Sequence, residues 1–328
     1  MREALYYKIE AEGELVCQLC PHRCQVAPEK TGRCRVRRRQ GNRLVLPYYG
    51  QISALALDPI EKKPLYHYYP GAQILSVGFW GCNFHCPFCQ NYTISQRLGT
   101  EHDYLAASDL VQLAKTKKSF ALAYTYSEPL IHFEYLMDCA KFAQQAGLKN
   151  VLVSNGFICR EPALAILPYL DAANIDLKTF NPEFYRQEIG GDLEAVKEFI
   201  RLAWGRIQLE VTTLVIPTKN DSPEEIEAIA RFLAELSPYL PWHLSCYYPT
   251  YKYTIPSTPP SKVSALAEIA RRYLAYVYEG NVGLKETNTS CPSCKNLLIR
   301  RRGYEVALAG LHGARCTKCG FDTQIPGL

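Results

Sequence analysis

No apolar run in this chain is long enough to cross a bilayer, which excludes a helical membrane span from its reading. The opening residues, MREALYYKIEAEGELVC, carry charges throughout and contain no apolar stretch of signal-peptide length, so a cytoplasmic protein is expected. A strong excess of charge of one sign is missing too. The 37 basic and 32 acidic residues leave +5, which by itself says little about nucleic acid. What the chain has in quantity is apolar content, 48% of 328 residues, enough for one large domain plus small attachments. It also has 14 cysteines. Most fall into three clusters, and C-x2-C pairs in a cytoplasmic chain read as metal ligands rather than disulfides.

The central cluster is Gly81-Cys82-Asn83-Phe84-His85-Cys86-Pro87-Phe88-Cys89-Gln90-Asn91, with spacing C-x3-C-x2-C. No fourth cysteine follows closely; the next is Cys139. Three thiolates on one short loop suit a cubane [4Fe–4S] cluster with one iron left open to a small molecule. The competing reading is a zinc knuckle, which needs a fourth thiolate or imidazole. His85 is the nearest candidate, but its place between Cys82 and Cys86 makes joint ligation awkward. The loop follows an apolar strand-like run, Ile74 to Phe79, as an active-site loop of a barrel does.

C-x3-C-x2-C with an aromatic before the last cysteine resembles the signature of the radical S-adenosylmethionine (SAM) superfamily. The resemblance implies that Cys82, Cys86 and Cys89 bind a [4Fe–4S] cluster whose open iron is chelated by the amino and carboxylate groups of SAM. One electron from the cluster then cleaves SAM to methionine and a 5′-deoxyadenosyl radical, which abstracts hydrogen from a substrate.

From Ile74 onward short apolar runs alternate with helical periods. Strands are expected at 74–79, 120–125, 150–154, 172–177, 207–215 and 242–246. Amphipathic helices are expected near 108–117, 129–146, 161–169, 192–203 and 222–236. Six such units fit a parallel sheet with right-handed crossovers. They are too few for a closed eightfold barrel and suit the α/β, partial (β/α)6 barrel that the resemblance implies for residues 74–285. Its cleft is lined by strand C-terminal ends. There the resemblance points to SAM-binding residues. Glu128 stands in Thr125-Tyr126-Ser127-Glu128-Pro129, where the superfamily usually has Gly-Gly-Glu-Pro. Ser154 and Asn155 follow the third strand; Asp176 and Lys178 follow the fourth. Glu128 also reads as a helix-capping acid. Asp176 and Lys178, two apart on a strand, face one way and read either as a buried holder of a zwitterion or as a self-satisfying ion pair.

Two modules flank the barrel. Residues 1–50 carry Cys17, Cys20, Cys24 and Cys34 among prolines, glycine and arginines with poor periodicity. A small fold held by metal is expected. Zinc and a second iron–sulfur cluster are both open, as are free thiols. Arg33, Arg35, Arg37, Arg38, Arg39 and Arg43 read as an RNA-binding patch or as a solvated turn; no aromatics interleave with them, which favours the turn. Asp58 to Gly71 reads as an ordered loop in which His67 is a packed histidine. Ser257 to Ser261 opens a last helix, about 261–274, followed by a strand-like 273–278. The tail, 286–328, holds Cys291, Cys294, Cys316 and Cys319, two C-x2-C knuckles of zinc-ribbon type. Zinc is expected there, with rubredoxin-like iron as the alternative. Arg300, Arg301 and Arg302 are expected on an exposed hairpin.

Asp176-Leu177-Lys178 is similar to the activating enzymes of glycyl-radical enzymes, such as the pyruvate formate-lyase activating enzyme. Three features depart from them. Val153 replaces an aspartate, Tyr248 falls where they have a histidine, and the two-cluster insert is missing. A narrower resemblance runs along nearly the whole chain, to the radical SAM enzyme of the AmmeMemoRadiSam system. It rests on the N-terminal cysteine knot, Asp58-Pro-Ile-Glu-Lys-Lys-Pro-Leu-Tyr-His67, Cys82 to Asn91, Ala123 to Pro129, Pro241-Trp242-His243 and the C-terminal cysteine pairs. It implies Memo-like and AMMECR-like partners; neither domain lies in this chain. A reductant such as flavodoxin or ferredoxin is expected, and neither membrane nor nucleic acid is. The rival readings are an RNA-modifying radical SAM enzyme and a zinc-binding interaction protein without radical chemistry.

Overall fold

The computed structural model describes residues 1–11, 13–99, 103–283 and 285–328. Period-two alternation builds its main sheet. In Gln208–Val215, for example, Leu209, Val211 and Val215 enter the large core under the helices, while Glu210 turns to the other face. Ile74, Ala121, Ala123, Val151 and Ala172, from four successive strands, form a second, smaller apolar cluster with Ile60, Leu65 and Tyr68. The sheet therefore buries both faces, as parallel sheets do.

Among the described residues the main sheet has eight strands: β1 (Ala54–Pro59), β2 (Gln73–Gly78), β3 (Ala121–Thr125), β4 (Lys149–Ser154), β5 (Ala172–Asp176), β6 (Gln208–Val215), β7 (Trp242–Cys246) and β8 (Val277–Gly280). Their order in space is their order in sequence. β2 to β8 are parallel and β1 runs antiparallel to β2. β1 and β8 are not paired, so the sheet is open. Six helices accompany it: α1 (Ala107–Thr116), α2 (Phe133–Gln145), α3 (Arg160–Ile166), α4 (Leu193–Ala203), α5 (Pro223–Leu236) and α6 (Pro260–Ala270). The caps explain where two of them start. Asp192 accepts from the Ala195 N–H at 3.0 Å, and Ser222 accepts from the Glu225 N–H at 3.1 Å ahead of Pro223.

The six expected strands are present, and two more lie beyond them. Asp58 and Pro59, expected in a loop, end β1, and Ile60–Lys62 form a 3-10 turn. The last helix stops at Ala270, and the strand after it is Val277–Gly280 rather than 273–278. Leu15, Cys17, Leu19, Val26, Leu44 and Leu46 of the N-terminal segment join the same core as the barrel.

Two arginines expected in solvent are buried. Arg37 forms a two-pronged ion pair with Glu134 of α2, at 2.7 and 3.2 Å, and donates to the Leu5 and Ile131 carbonyls. Arg301 is fully enclosed between the tail and the Ile60–Gly71 segment. It donates to Thr289 Oγ1 at 2.7 Å and the Tyr66 carbonyl at 2.6 Å, stacks over the Tyr66 ring, and pairs with Glu61 at 3.5 Å. Each desolvated guanidinium is kept only because its partners are fixed in place.

Replacing Arg301 by Leu strands Glu61 in the interior. A loss of about 3–5 kcal/mol in denaturant unfolding is expected, and the double variant Glu61→Gln/Arg301→Leu recovers part of it. A loss below about 1 kcal/mol for the single variant would mean the pair does not anchor the tail.

Candidate active site

The loop from Gly81 to Asn91 leaves the C-terminal end of β2 with little regular structure of its own. Neighbours hold its backbone. The Gly81 N–H donates to Ile94, the His85 N–H to Ile189, and the Lys252 N–H donates to the Pro87 carbonyl. Gly81 has φ +81°, and a Cβ there would lie 2.7 Å from the Cys34 carbonyl, so glycine is required on both counts.

Cys86 is buried; Cys82 and Cys89 are half-buried. The three thiols bear on one another electrostatically. Burial pushes Cys86 up to about 12, against the pull of the Lys178 ammonium, and raises Cys82 as well. Such thiols become thiolates only beside a cation. Donors already aim at their sulfurs: the Phe84 N–H reaches Cys82 Sγ at 3.3 Å, and Ser95 Oγ lies 3.2 Å from Cys89 Sγ. Three thiols without a fourth nearby are the donor set that a cluster with an open iron requires. His85, the alternative fourth ligand, is engaged elsewhere, its Nδ1 sharing a hydrogen bond with Gln96 Oε1 at 2.9 Å.

Glu128, Ser154 and Asn155 are brought together beside this loop. The Glu128 carboxylate accepts from Ser154 Oγ at 2.7 Å, from the Asn155 N–H at 2.9 Å and from the Leu130 N–H at 3.0 Å. The last of these caps the 3-10 turn Pro129–His132, so the capping role is also real. Asn155 Nδ2 donates to Asn83 Oδ1 at 2.9 Å and lies 3.8 Å from Cys82 Sγ. Burial raises the Glu128 carboxyl to about 7 in spite of its three donors. A buried acid at that pKa accommodates an ammonium group well.

Asp176 and Lys178 pair with each other at 3.0 Å. The expectation of a buried pair needs correction, because β5 ends at Asp176 and the Asp176 side chain is 38% exposed. The charges of the pair bear on Cys86. Tyr126, where the superfamily has glycine, holds φ +71°, a left-handed conformation that strains a bulky residue. Its hydroxyl donates to Asp58 at 2.5 Å, and its ring carries the buried Lys63 ammonium 4.5 Å from its centre. Sequence reasoning missed Asn83, Ser95 and Gln96. They are short polar residues whose roles depend on partners in the folded loop. Tyr248, discussed as a histidine substitute, is exposed and donates to the Asn281 carbonyl.

In the tail, Cys291, Cys294, Cys316 and Cys319 bring all four sulfurs within 4.8 Å of one another. The Cys291–Cys319 and Cys294–Cys316 contacts are 3.6 and 3.7 Å. A tetrahedron with ~2.3 Å metal–sulfur bonds has edges of about 3.8 Å. The set fits one tetrahedral ion.

An open, mostly parallel sheet with three cysteines on the loop after its first parallel strand defines an α/β enzyme that works at the strand C-terminal ends. The chain belongs to the radical SAM superfamily. The family model of that description matches residues 79–233. The chain is 38% identical over 337 residues to the uncharacterized protein MJ0808 of Methanocaldococcus jannaschii, covering 99% of each. It is 25% identical over 198 residues to the pyruvate formate-lyase-activating enzyme of Listeria monocytogenes, covering 55% of this chain and 78% of that one. In fold it is similar to SuiB of Streptococcus suis, with a TM-score of 0.50 at 14% identity over 65% of this chain and 50% of that one. The chain is therefore an enzyme of radical SAM type, a family that implies a [4Fe–4S] cluster and SAM.

Replacing Cys294 by Ser is expected to remove about one metal ion per chain from the anaerobically purified protein and to leave the iron of the Cys82 loop in place. Elemental analysis of the two proteins checks this; an unchanged metal content would remove the tail site.

Proposed function

We propose that this enzyme cleaves SAM reductively at a [4Fe–4S] cluster held by Cys82, Cys86 and Cys89, and that the radical abstracts hydrogen from a partner protein in the manner of a glycyl-radical activase. The observation that carries the reading is the continuous network from Glu128 through Ser154, Asn155 and Asn83 to Cys82. It links a carboxylate suited to an amino group with one of the three thiols that would hold the cluster. When bound, the cluster supplies the electron that breaks the sulfur–carbon bond of SAM.

The residues have distinct tasks in this reading. Glu128, its orientation fixed by Ser154 and the Asn155 N–H, accepts from the SAM amino group. Asp176 and Lys178 open from their ion pair toward the zwitterion, Lys178 taking the carboxylate. Asn155 holds the cluster loop through Asn83. The similarity to activating enzymes supports a protein-borne substrate. Burial of Arg37 and Arg301 removes two arginines from the surface an RNA substrate would need.

Three further parts belong to the proposal. The tail ion is zinc, which the sulfur spacing supports. Residues 1–50, 74–285 and 286–328 are the cysteine-rich, catalytic and ribbon portions of a cytoplasmic enzyme. Membership in the AmmeMemoRadiSam system, with Memo-like and AMMECR-like partners and a flavodoxin or ferredoxin reductant, rests on the motif resemblance along the chain.

The test is anaerobic: load the protein with iron and sulfide, reduce it, add SAM, and assay 5′-deoxyadenosine by mass spectrometry. Product that needs both reductant and iron is expected. Cys82→Ala, Cys86→Ala or Cys89→Ala should each abolish it; product surviving in any of them would overturn the cluster assignment.

Glu128 gives a signed pH dependence. The ionised carboxylate is the better acceptor for the N–H groups of the SAM amino group, so affinity should rise as pH climbs through about 7 and fade below it. Glu128→Gln should weaken SAM binding by about tenfold or more, ~1.4 kcal/mol, and flatten that profile. Calorimetric titration across pH 6 to 8.5 measures both effects. A variant that keeps the wild-type profile would free Glu128 from this role.

A further inference from the structure

The N-terminal cysteines sit against the catalytic loop. His22, between Cys20 and Cys24, shares a hydrogen bond through Nε2 with the Asn83 carbonyl at 2.8 Å, between Cys82 and Cys86. The Cys34 carbonyl abuts Gly81, the residue before Cys82. Arg35 donates to the Gln96 carbonyl at 2.6 Å, and the Cys159 N–H donates to Leu19. The two cysteine loops thus touch at two points, His22–Asn83 and Cys34–Gly81.

The four thiols bear on one another electrostatically. Cys24 receives the Arg33 N–H at 3.4 Å. A backbone N–H also reaches sulfur at Cys82, from Phe84. The buried Arg37 guanidinium bears on Cys17 and Cys34, and its Nε–H finds no acceptor in the protein. A cluster of thiolates and sulfides would offer acceptors to that Nε–H and to the Arg33 N–H.

The spacing differs from that in the tail. Among the described residues, the tail cysteines are the set whose ligand atoms all lie within 4.8 Å; no three of these four do so. One tetrahedral ion would draw all four sulfurs to about 3.8 Å. Iron–sulfur clusters spread their cysteines over two or more irons. Cys24 is half-buried, and the exposed Arg23, Lys30 and Arg33 lie around it in sequence.

We propose that Cys17, Cys20, Cys24 and Cys34 bind an iron–sulfur cluster that takes single electrons from an acidic carrier protein and passes them to the site of Cys82, Cys86 and Cys89. The proposal rests on the radical SAM reading of that second site. One electron leaves the reduced carrier, resides on the N-terminal cluster and moves on. No bond is made or broken in the relay, and no proton moves. The basic rim recruits the carrier, so the transfer weakens with added salt.

Two measurements test it on the full chain. The first is the triple variant Cys82→Ala/Cys86→Ala/Cys89→Ala, loaded anaerobically with iron and sulfide. It should keep two to four irons with matching sulfide, about what one four-cysteine cluster holds, and show a cluster signal in electron paramagnetic resonance after reduction. Iron content of one or none, or a second zinc, would overturn the site whatever the catalytic loop does. The second compares 5′-deoxyadenosine formed with reduced flavodoxin against that formed with dithionite. The ratio should fall at least tenfold in Cys24→Ser, with thermal melting confirming the fold. An unchanged ratio in a variant that has lost the N-terminal iron would overturn the relay. Failure of dithionite-driven product in the unmodified protein would instead count against the catalytic reading and leave the iron count of the triple variant standing.

Discussion

A loop that must carry three reactive sulfurs cannot also be a helix or a strand, and the rest of the chain is arranged around that constraint. Its backbone groups have no ladder to satisfy them and are buried too deeply to rely on solvent. They are met from every side: by Ile94 and Gln96 beyond the loop, by Ile189 before α4, by Lys252 after β7, and by His22 from the N-terminal residues. Most of these partners stand on segments that follow the C-terminal ends of strands. The parallel sheet therefore fixes the loop more rigidly than the loop could fix itself.

The six expected strands were legible because their alternation is strong and their partners are sequence neighbours in space. β1 was not, and the reason lies in its faces. Leu55 and Leu57 point to solvent while Asp58 turns inward against Lys63 and Tyr126, the reverse of the usual pattern. The buried arginines were hidden for another reason. Arg37 meets Glu134 across 97 residues and Arg301 meets Glu61 across 240, distances over which composition carries no signal. At the site, the cysteine spacing was legible on its own, and Glu128, Ser154 and Asn155 were named from the strand ends where they meet. Asp176 and Lys178 were legible as a pair but not in burial, since that depends on where β5 stops.

The far end of the sheet completes the argument. Near the strand N-termini a chain of buried polar contacts runs Glu210–His243 at 2.6 Å, the His67 N–H to Glu210 at 2.6 Å, His67–Tyr278 at 2.6 Å, Tyr278–Thr289 at 2.8 Å and Thr289–Arg301 at 2.7 Å. Burial holds His67 down to about 4, which keeps it neutral. His243 and the His67 N–H hold the Glu210 carboxyl below its usual range against the opposing effect of burial. This face of the sheet carries small residues such as Ala121, Ala123 and Ala172, and Ile60, Leu65 and Tyr68 pack over them. The Ile60–Gly71 segment and the tail supply the stopper, and their charges are tolerated because each is paired. A radical intermediate needs water kept out. Arg301, tied to Tyr66, Glu61 and Thr289, thus joins the tail to the segment that covers one end of the sheet, while the three thiols lie at the other.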